Sequence, residues 1–254
     1  MPLSADRMSQ AKGEALEFSK TVVYAVGIAL VLRVFLFQPF NIPSGSMIPN
    51  LLTGDYLFVS KYAYGYSKHS FPFSAGPISG RVLGSEPQRG DVAVFKTPED
   101  NRTDYIKRVI GLPGDRIQMI RGVLHINDEA IKRERIEDYV YTDRFGAARV
   151  APRYRETLPN GVSYVTREEL GDNGGADDTP VYVVPQGHFF MMGDNRDNST
   201  DSRRLDKVGY VPFKNFVGRA ERLFFSVDGQ KARFWQVWRW PLAVRYGRIL
   251  QSVE

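Results

Sequence analysis

Two serines, Ser44 and Ser46, stand in the small-residue loop Pro43-Ser44-Gly45-Ser46-Met47-Ile48-Pro49, and Ser46 lies nine residues past an apolar run that ends at Phe37. A serine hydroxyl in such a loop would be a nucleophile close to a bilayer surface, working on something that is itself held in a membrane. It needs a base to remove its proton. The chain offers His69, His125 and His188, and none is well placed by sequence. His69 reads as loop, His125 sits in an alternating strand running into a turn, and His188 precedes the apolar Phe189-Phe190-Met191-Met192. A lysine serves only if burial lowers its pKa towards neutrality. Lys107 in Tyr105-Ile106-Lys107-Arg108-Val109-Ile110 is such a candidate. Strand alternation puts it on one face with Tyr105 and Val109, and Arg108 on the other with Ile106 and Ile110. By pattern alone an ordinary half-exposed strand lysine is the better reading.

Four blocks carry more than any one of these residues. They are Ile42 to Leu51 continuing to Gly54-Asp55, Arg89 to Phe95, Tyr105 to Asp115, and Gly193-Asp194-Asn195-Arg196-Asp197-Asn198-Ser199-Thr200-Asp201-Ser202-Arg203 followed by Gly209-Tyr210-Val211-Pro212. In this order, behind an apolar segment, they resemble the bacterial type I signal peptidases (leader peptidases), membrane-bound endopeptidases with a Ser-Lys dyad. The resemblance runs from about residue 20 to 226, loosely over 130–180.

That resemblance implies Ser46 as nucleophile and Lys107 as neutral general base. It implies Ser44, with the Ser46 amide, as donor to the oxyanion. Ser199 would hydrogen-bond and orient the Lys107 ammonium, with Asp201 and Arg203 as an ion pair behind the site. Cleavage would follow small side chains one and three residues before the scissile bond. Phe40, Ile42, Leu57, Val94 and Ile106 would line the pockets that select them, with Pro43, Met47 and Tyr105 nearby. Leu57 and Val94 would be apolar in any β core. The scissile segment would bind extended, adding hydrogen bonds to a strand edge. The implied partners are signal-peptide-bearing preproteins, the phospholipid bilayer and the protein translocation channel.

The elements that would position these groups begin with an anchor. Thr21 to Phe37 is apolar but for Arg33. Roughly 17 residues at ~1.5 Å each is near the lower limit for a membrane-crossing helix. No small-x-small site follows Phe37, which favours an uncleaved single span over 20–38. Arg7, Lys12 and Lys20 favour a cytoplasmic N-terminus, and so a bacterial inner (plasma) membrane protein with its bulk on the periplasmic or outer face. Beyond the anchor the pattern is mostly β: short strands at Tyr56–Val59, Asp91–Phe95, Tyr105–Ile110, Arg116–Ile120 and Val123–Ile126, as in an antiparallel sandwich or partly open barrel.

The expected division is 1–19 tail, 20–38 anchor, 39–130 first catalytic β part, 131–180 inserted β-rich subdomain, 181–230 second catalytic part, and 231–254 basic, aromatic tail. In that tail Phe234-Trp235-Gln236-Val237-Trp238-Arg239-Trp240-Pro241, flanked by Arg233, Arg245 and Arg248, suits either a lipid headgroup interface or ordinary packing.

Composition agrees. The chain has 254 residues, 43% of them hydrophobic, enough to bury a substantial core. There is no cysteine, so no disulfide and no thiolate metal site. The net charge of +5, from 34 bases against 29 acids, is too diffuse to argue for nucleic acid. The Asp-rich run 193–203 lacks calcium-loop spacing, so no metal or cofactor is expected. Three rivals share some features. A LexA-type self-cleaving repressor would carry a DNA-binding head in place of the anchor. A penicillin-binding enzyme needs Ser-x-x-Lys in its catalytic domain, and Ser9-Gln10-Ala11-Lys12 lies before the anchor. A membrane-tethered β scaffold would be indifferent to Ser46→Ala.

Overall fold

The N-terminal apolar segment forms helix α1, Ala5–Phe35, whose stretch Lys12–Phe35 has a mean hydropathy of 1.7 and is long and apolar enough to cross a membrane. At ~1.5 Å per residue these 24 residues span about 36 Å. The helix starts earlier than the apolar run and stops two residues before it does, because Phe37 already pairs in a strand. Its exit is fixed: the Tyr66 hydroxyl donates to the Phe35 carbonyl at 2.9 Å, and the Lys61 amide donates to the Leu36 carbonyl at 3.0 Å. Leucines, valines and Phe18 along the helix stay exposed, and Val34 is its one buried apolar side chain among the described residues. This computed structural model describes residues 5–142, 146–172, 174–229, 231 and 236–253, with side chains from residue 12 onwards.

The rest is mostly β. The longer strands are β1 (Phe37–Asn41), β2 (Asp55–Ser60), β3 (Val92–Lys96), β4 (Asp104–Gly111), β5 (Arg116–Ile120) and β6 (Val123–Ile126). They continue with β7 (Lys132–Thr142), β8 (Ala148–Thr157), β9 (Ser163–Arg167), β10 (His188–Met192), β11 (Val211–Pro212) and β12 (Phe216–Ser226). A seven-stranded antiparallel sheet runs in the order β1-β2-β12-β3-β4-β10-β11. β5 and β6 form a hairpin in a small second sheet, and β7, β8 and β9 form a third.

Alternation explains why the large sheet is covered on both faces. In β3, Val92 and Val94 pack with Ile42, Met47, Leu57 and Leu223, whereas Ala93 and Phe95 pack with Tyr64, Phe189 and Phe216. In β10, Phe189 and Met191 join that second cluster, while Phe190 and Met192 face Ile110, Ile117 and Leu124. A polar residue in the inner part of β4 is therefore forced into dry surroundings, which is how Lys107 is desolvated.

The C-terminal segment packs back on the serine loop. Arg248 grips the Asp55 carboxylate through Nε at 3.1 Å and Nη2 at 2.6 Å, and Nη2 also donates to the Asn50 carbonyl at 2.9 Å. Arg245 donates to the Thr53 carbonyl at 3.0 Å. Trp238 is exposed, and Arg233, Phe234 and Trp235 lie outside the described residues.

Candidate active site

Ser46 and Lys107 come together from distant parts of the chain. Ser46 sits in the turn between β1 and β2, and Lys107 in the middle of β4. Their Oγ and Nζ atoms are 2.7 Å apart. Lys107 is 3% exposed and Ser46 9%, so neither group competes with bulk water. The Nζ also lies 2.9 Å from the Ile106 carbonyl and 5.3 Å from the Tyr105 ring centroid. Burial lowers the Lys107 pKa to about 8, against the opposing pull of Asp201 and Asp194.

A lowered pKa alone does not select this lysine. Lys61 is also buried and its pKa is lowered to about 8, chiefly by desolvation, but its ammonium is held by the Ser70 carbonyl. One ring nitrogen of each histidine is engaged elsewhere. Nδ1 of His69 meets the Ser74 hydroxyl at 2.9 Å, that of His125 the Val123 carbonyl at 3.0 Å, and that of His188 the Gln186 carbonyl at 2.9 Å. Geometry leaves Lys107 as the base within reach of Ser46.

Ser44 Oγ lies 3.5 Å from Ser46 Oγ on the exposed side of the loop. A cleft of about 400 Å³ opens there, lined by Pro43, Ser44, Ser46, Tyr105, Ile106 and Lys107 with Asn198 and Thr200 on the far wall. Of the residues expected to line substrate pockets, Pro43, Tyr105 and Ile106 face this cleft. Ile42, Met47, Leu57 and Val94 are buried in the core cluster beneath it, with Phe40 packed against them.

Asp201 and Arg203 pair through two bonds of 2.9 Å, and Asp201 also accepts from the Gly193 amide at 3.0 Å. Burial pushes the Asp201 carboxyl up, but Arg203 and the hydrogen bonds it accepts together hold it below its usual value. No hydrogen bond joins Ser199 to Lys107 in this geometry. Ser199 Oγ is buried without a hydrogen-bond partner, tight against Gly193.

A second buried pair supports the dyad from the other face of β4. Arg108 binds Asp194 through Nε at 2.9 Å and Nη2 at 2.8 Å, with the guanidinium 4.2 Å from the Tyr164 ring centroid. Asn50, four residues past Ser46, donates to the same carboxylate at 2.7 Å. The Asn195 amide then holds the Ser46 carbonyl at 3.1 Å, and its side chain holds the Gly45 carbonyl at 3.1 Å. Asn50, Arg108, Asp194 and Asn195 thus clamp the serine turn against β4. Sequence reading assigned them no role, although all four lie inside the blocks that carried the resemblance.

With this geometry in view, three comparisons bear on the chain. The family model for signal peptidase, peptidase S26, matches residues 15–225. The signal peptidase I of Rickettsia typhi is 38% identical over 99% of this chain and 98% of its own. That of Rickettsia canadensis is 38% identical over 92% of each. A crystal structure of a signal peptidase I from Enterococcus faecalis is 26% identical, covering 53% of this chain and 97% of that one at a TM-score of 0.31, too loose a likeness to bear on the fold.

Proposed function

The chain belongs to the signal peptidase family, peptidase S26, and from that premise we propose that it releases N-terminal signal peptides from exported preproteins with Ser46 as nucleophile and Lys107 as general base. The observation that carries this reading is the 2.7 Å approach of a buried Lys107 Nζ to Ser46 Oγ. With Lys107 neutral, the Ser46 hydroxyl donates its proton to Nζ as Oγ adds to the scissile carbonyl. The oxyanion accepts from the Ser46 amide and the Ser44 hydroxyl. The Lys107 ammonium then gives its proton to the departing amine, and water hydrolyses the acyl-enzyme by the same route in reverse. While charged, Lys107 is stabilised by Asp201 and Asp194 and by the Ile106 carbonyl, and in this reading the Ser199 hydroxyl accepts from it as well.

The cleft is shallow and walled by Pro43, Tyr105 and Ile106, which favours small side chains one and three residues before the cut. The preprotein lies extended along the strand edge there. In the same reading α1 anchors the enzyme in the bacterial inner membrane with its N-terminus cytoplasmic, and the β body works on the outer face beside bilayer and translocation channel. Residues 39–130 and 181–230 form the catalytic body and 131–180 an insertion outside the chemistry.

The test uses the full chain purified in detergent and lipid with a preprotein, the product's new N-terminus being read by mass. Wild type is expected to cut after the small-x-small site, and Ser46→Ala to cut at no detectable rate while still inserting into membrane. Undiminished cleavage by Ser46→Ala would sink the proposal. Ser44→Ala removes one oxyanion donor and should lower kcat by ~10²–10³ with little change in KM. A matched rise in KM instead would place Ser44 in ground-state binding.

A further inference from the structure

Outside the dyad, three carboxylates converge where the chain gives them too few donors. Glu168 follows β9, Asp177 lies in the loop before Tyr182, and Asp197 sits in the loop beside the dyad. One ligand oxygen from each lies within 4.8 Å of the others. Glu168 is 0% exposed and Asp177 1%, and Glu168 Oε2 and Asp177 Oδ1 are buried without a hydrogen-bond partner among the described residues. Three of the other four oxygens are tied to the chain. Glu168 Oε1 accepts from Arg133 at 3.3 Å, Asp177 Oδ2 from the Gly174 amide at 2.5 Å, and Asp197 Oδ2 from the Leu170 amide at 2.7 Å. An uncompensated buried carboxylate oxygen is expensive, and native proteins pair such atoms or give them to a metal.

Nearby arginines do not balance the charge. Arg196 is matched by Glu156 and Arg203 by Asp201. Arg133 is shared between Glu168 and Asp172, which leaves one arginine against the four carboxylates of Glu168, Asp172, Asp177 and Asp197. Gly174 lets the acids meet: a Cβ there would come within 2.0 Å of Asp197 Oδ1 and 3.0 Å of Asp177 Oδ2.

We infer that Glu168, Asp177 and Asp197 bind one divalent, oxygen-preferring cation of the calcium class, which pins the loop after β9 to the loop that walls the active-site cleft. Two ligands each ~2.4 Å from a central ion stand at most ~4.8 Å apart, and the three ligand oxygens lie within that limit of one another. Asp197 is only half-buried, so water can enter from its side and fill the remaining positions. The absence of calcium-loop spacing within 193–203 does not oppose this, since two of the three ligands come from elsewhere in the chain. The consequence reaches the dyad: Asp197 is flanked by Asn195, which holds the Ser46 carbonyl, and by Asn198, which lines the cleft.

The experiment uses the full chain in detergent micelles, stripped with EGTA and titrated with CaCl₂, read by calorimetry and by Tm. One Ca²⁺ per chain is expected, with Tm rising by roughly 5–10 °C at ~100-fold excess over Kd. Asp197→Asn should weaken binding at least tenfold, and Asp178→Asn, next to Asp177 but outside the cluster, should not. Absence of heat and of any Tm change at millimolar Ca²⁺ would overturn the proposal. Stabilisation by Mg²⁺ alone, or equal losses in the two variants, would overturn it as well.

Discussion

Replacing Lys107 with methionine is expected to lower kcat/KM on a preprotein by at least ~10³-fold while raising the Tm. The two effects have opposite signs because the lysine is costly to the fold and, as the proposed base, necessary to the chemistry. Among the described residues it is the group within hydrogen-bonding reach of Ser46 Oγ that can take its proton, and general base catalysis of this kind is worth ~10²–10⁴. As a buried amine, it is protonated less readily in the fold than in the open chain, with its pKa at about 8 instead of 10.5. Below pH 8 both states carry the proton, and the folded state bears the full desolvation penalty, roughly 3 kcal/mol. Between pH 8 and 10.5 that penalty fades, so wild-type stability gains from Lys107 as pH rises across this window. Methionine fills the same space without a charge and removes the penalty at neutral pH. Wild-type kcat/KM should rise with pH through about 8 as the amine loses its proton. A Lys107→Met enzyme that keeps this rising limb, or that melts well below wild type without having lost activity, would show that Lys107 is a structural residue and that the base lies elsewhere.

What was legible in the sequence follows from the same physics. β5 and β6 were readable to the residue, because alternation and the Arg121-Gly122 turn leave few other registers. The dyad needed more than pattern. A strand lysine flanked by apolar residues is usually half exposed, and only the pairing of β4 between β3 and β10 puts Lys107 in the dry. The hairpin of β7 and β8 was hidden because its strands carry arginines where a strand usually carries aliphatics. They are held by stacking instead, with Arg133 3.5 Å from the Tyr154 ring centroid and Arg167 4.0 Å from that of Tyr141. β12 was missed for a related reason: Gly218 and three charged side chains interrupt Phe216–Ser226. The Arg108–Asp194–Asn50 clamp joins residues far apart in sequence, which no local pattern reports.

Gly193→Ala is expected to cost at least ~10² in kcat/KM and about 1–3 kcal/mol in stability, although alanine adds a single methyl group. Gly193 follows β10 and carries the chain over the serine turn. A Cβ there would lie 2.2 Å from Ser199 Oγ, 2.5 Å from Ser199 Cβ and 2.6 Å from the Ser46 carbonyl oxygen. The hydroxyl could rotate away, but the other two contacts are fixed. Ser199 Cβ moves only with its backbone, and the Ser46 carbonyl is held by the Asn195 amide at 3.1 Å. Relief therefore requires the loop and the serine turn to part by about an ångström, the scale on which a reacting group loses ~10² in rate. The Gly193 amide also holds Asp201, so the shift would disturb the Asp201–Arg203 pair behind Lys107. Adding Ser199→Gly separates the contributions. It removes both Ser199 contacts and should restore most of the Tm, yet the clash with the Ser46 carbonyl remains and activity should stay low. Full recovery of activity in the double variant would locate the constraint at Ser199 and leave the position of the nucleophile independent of Gly193.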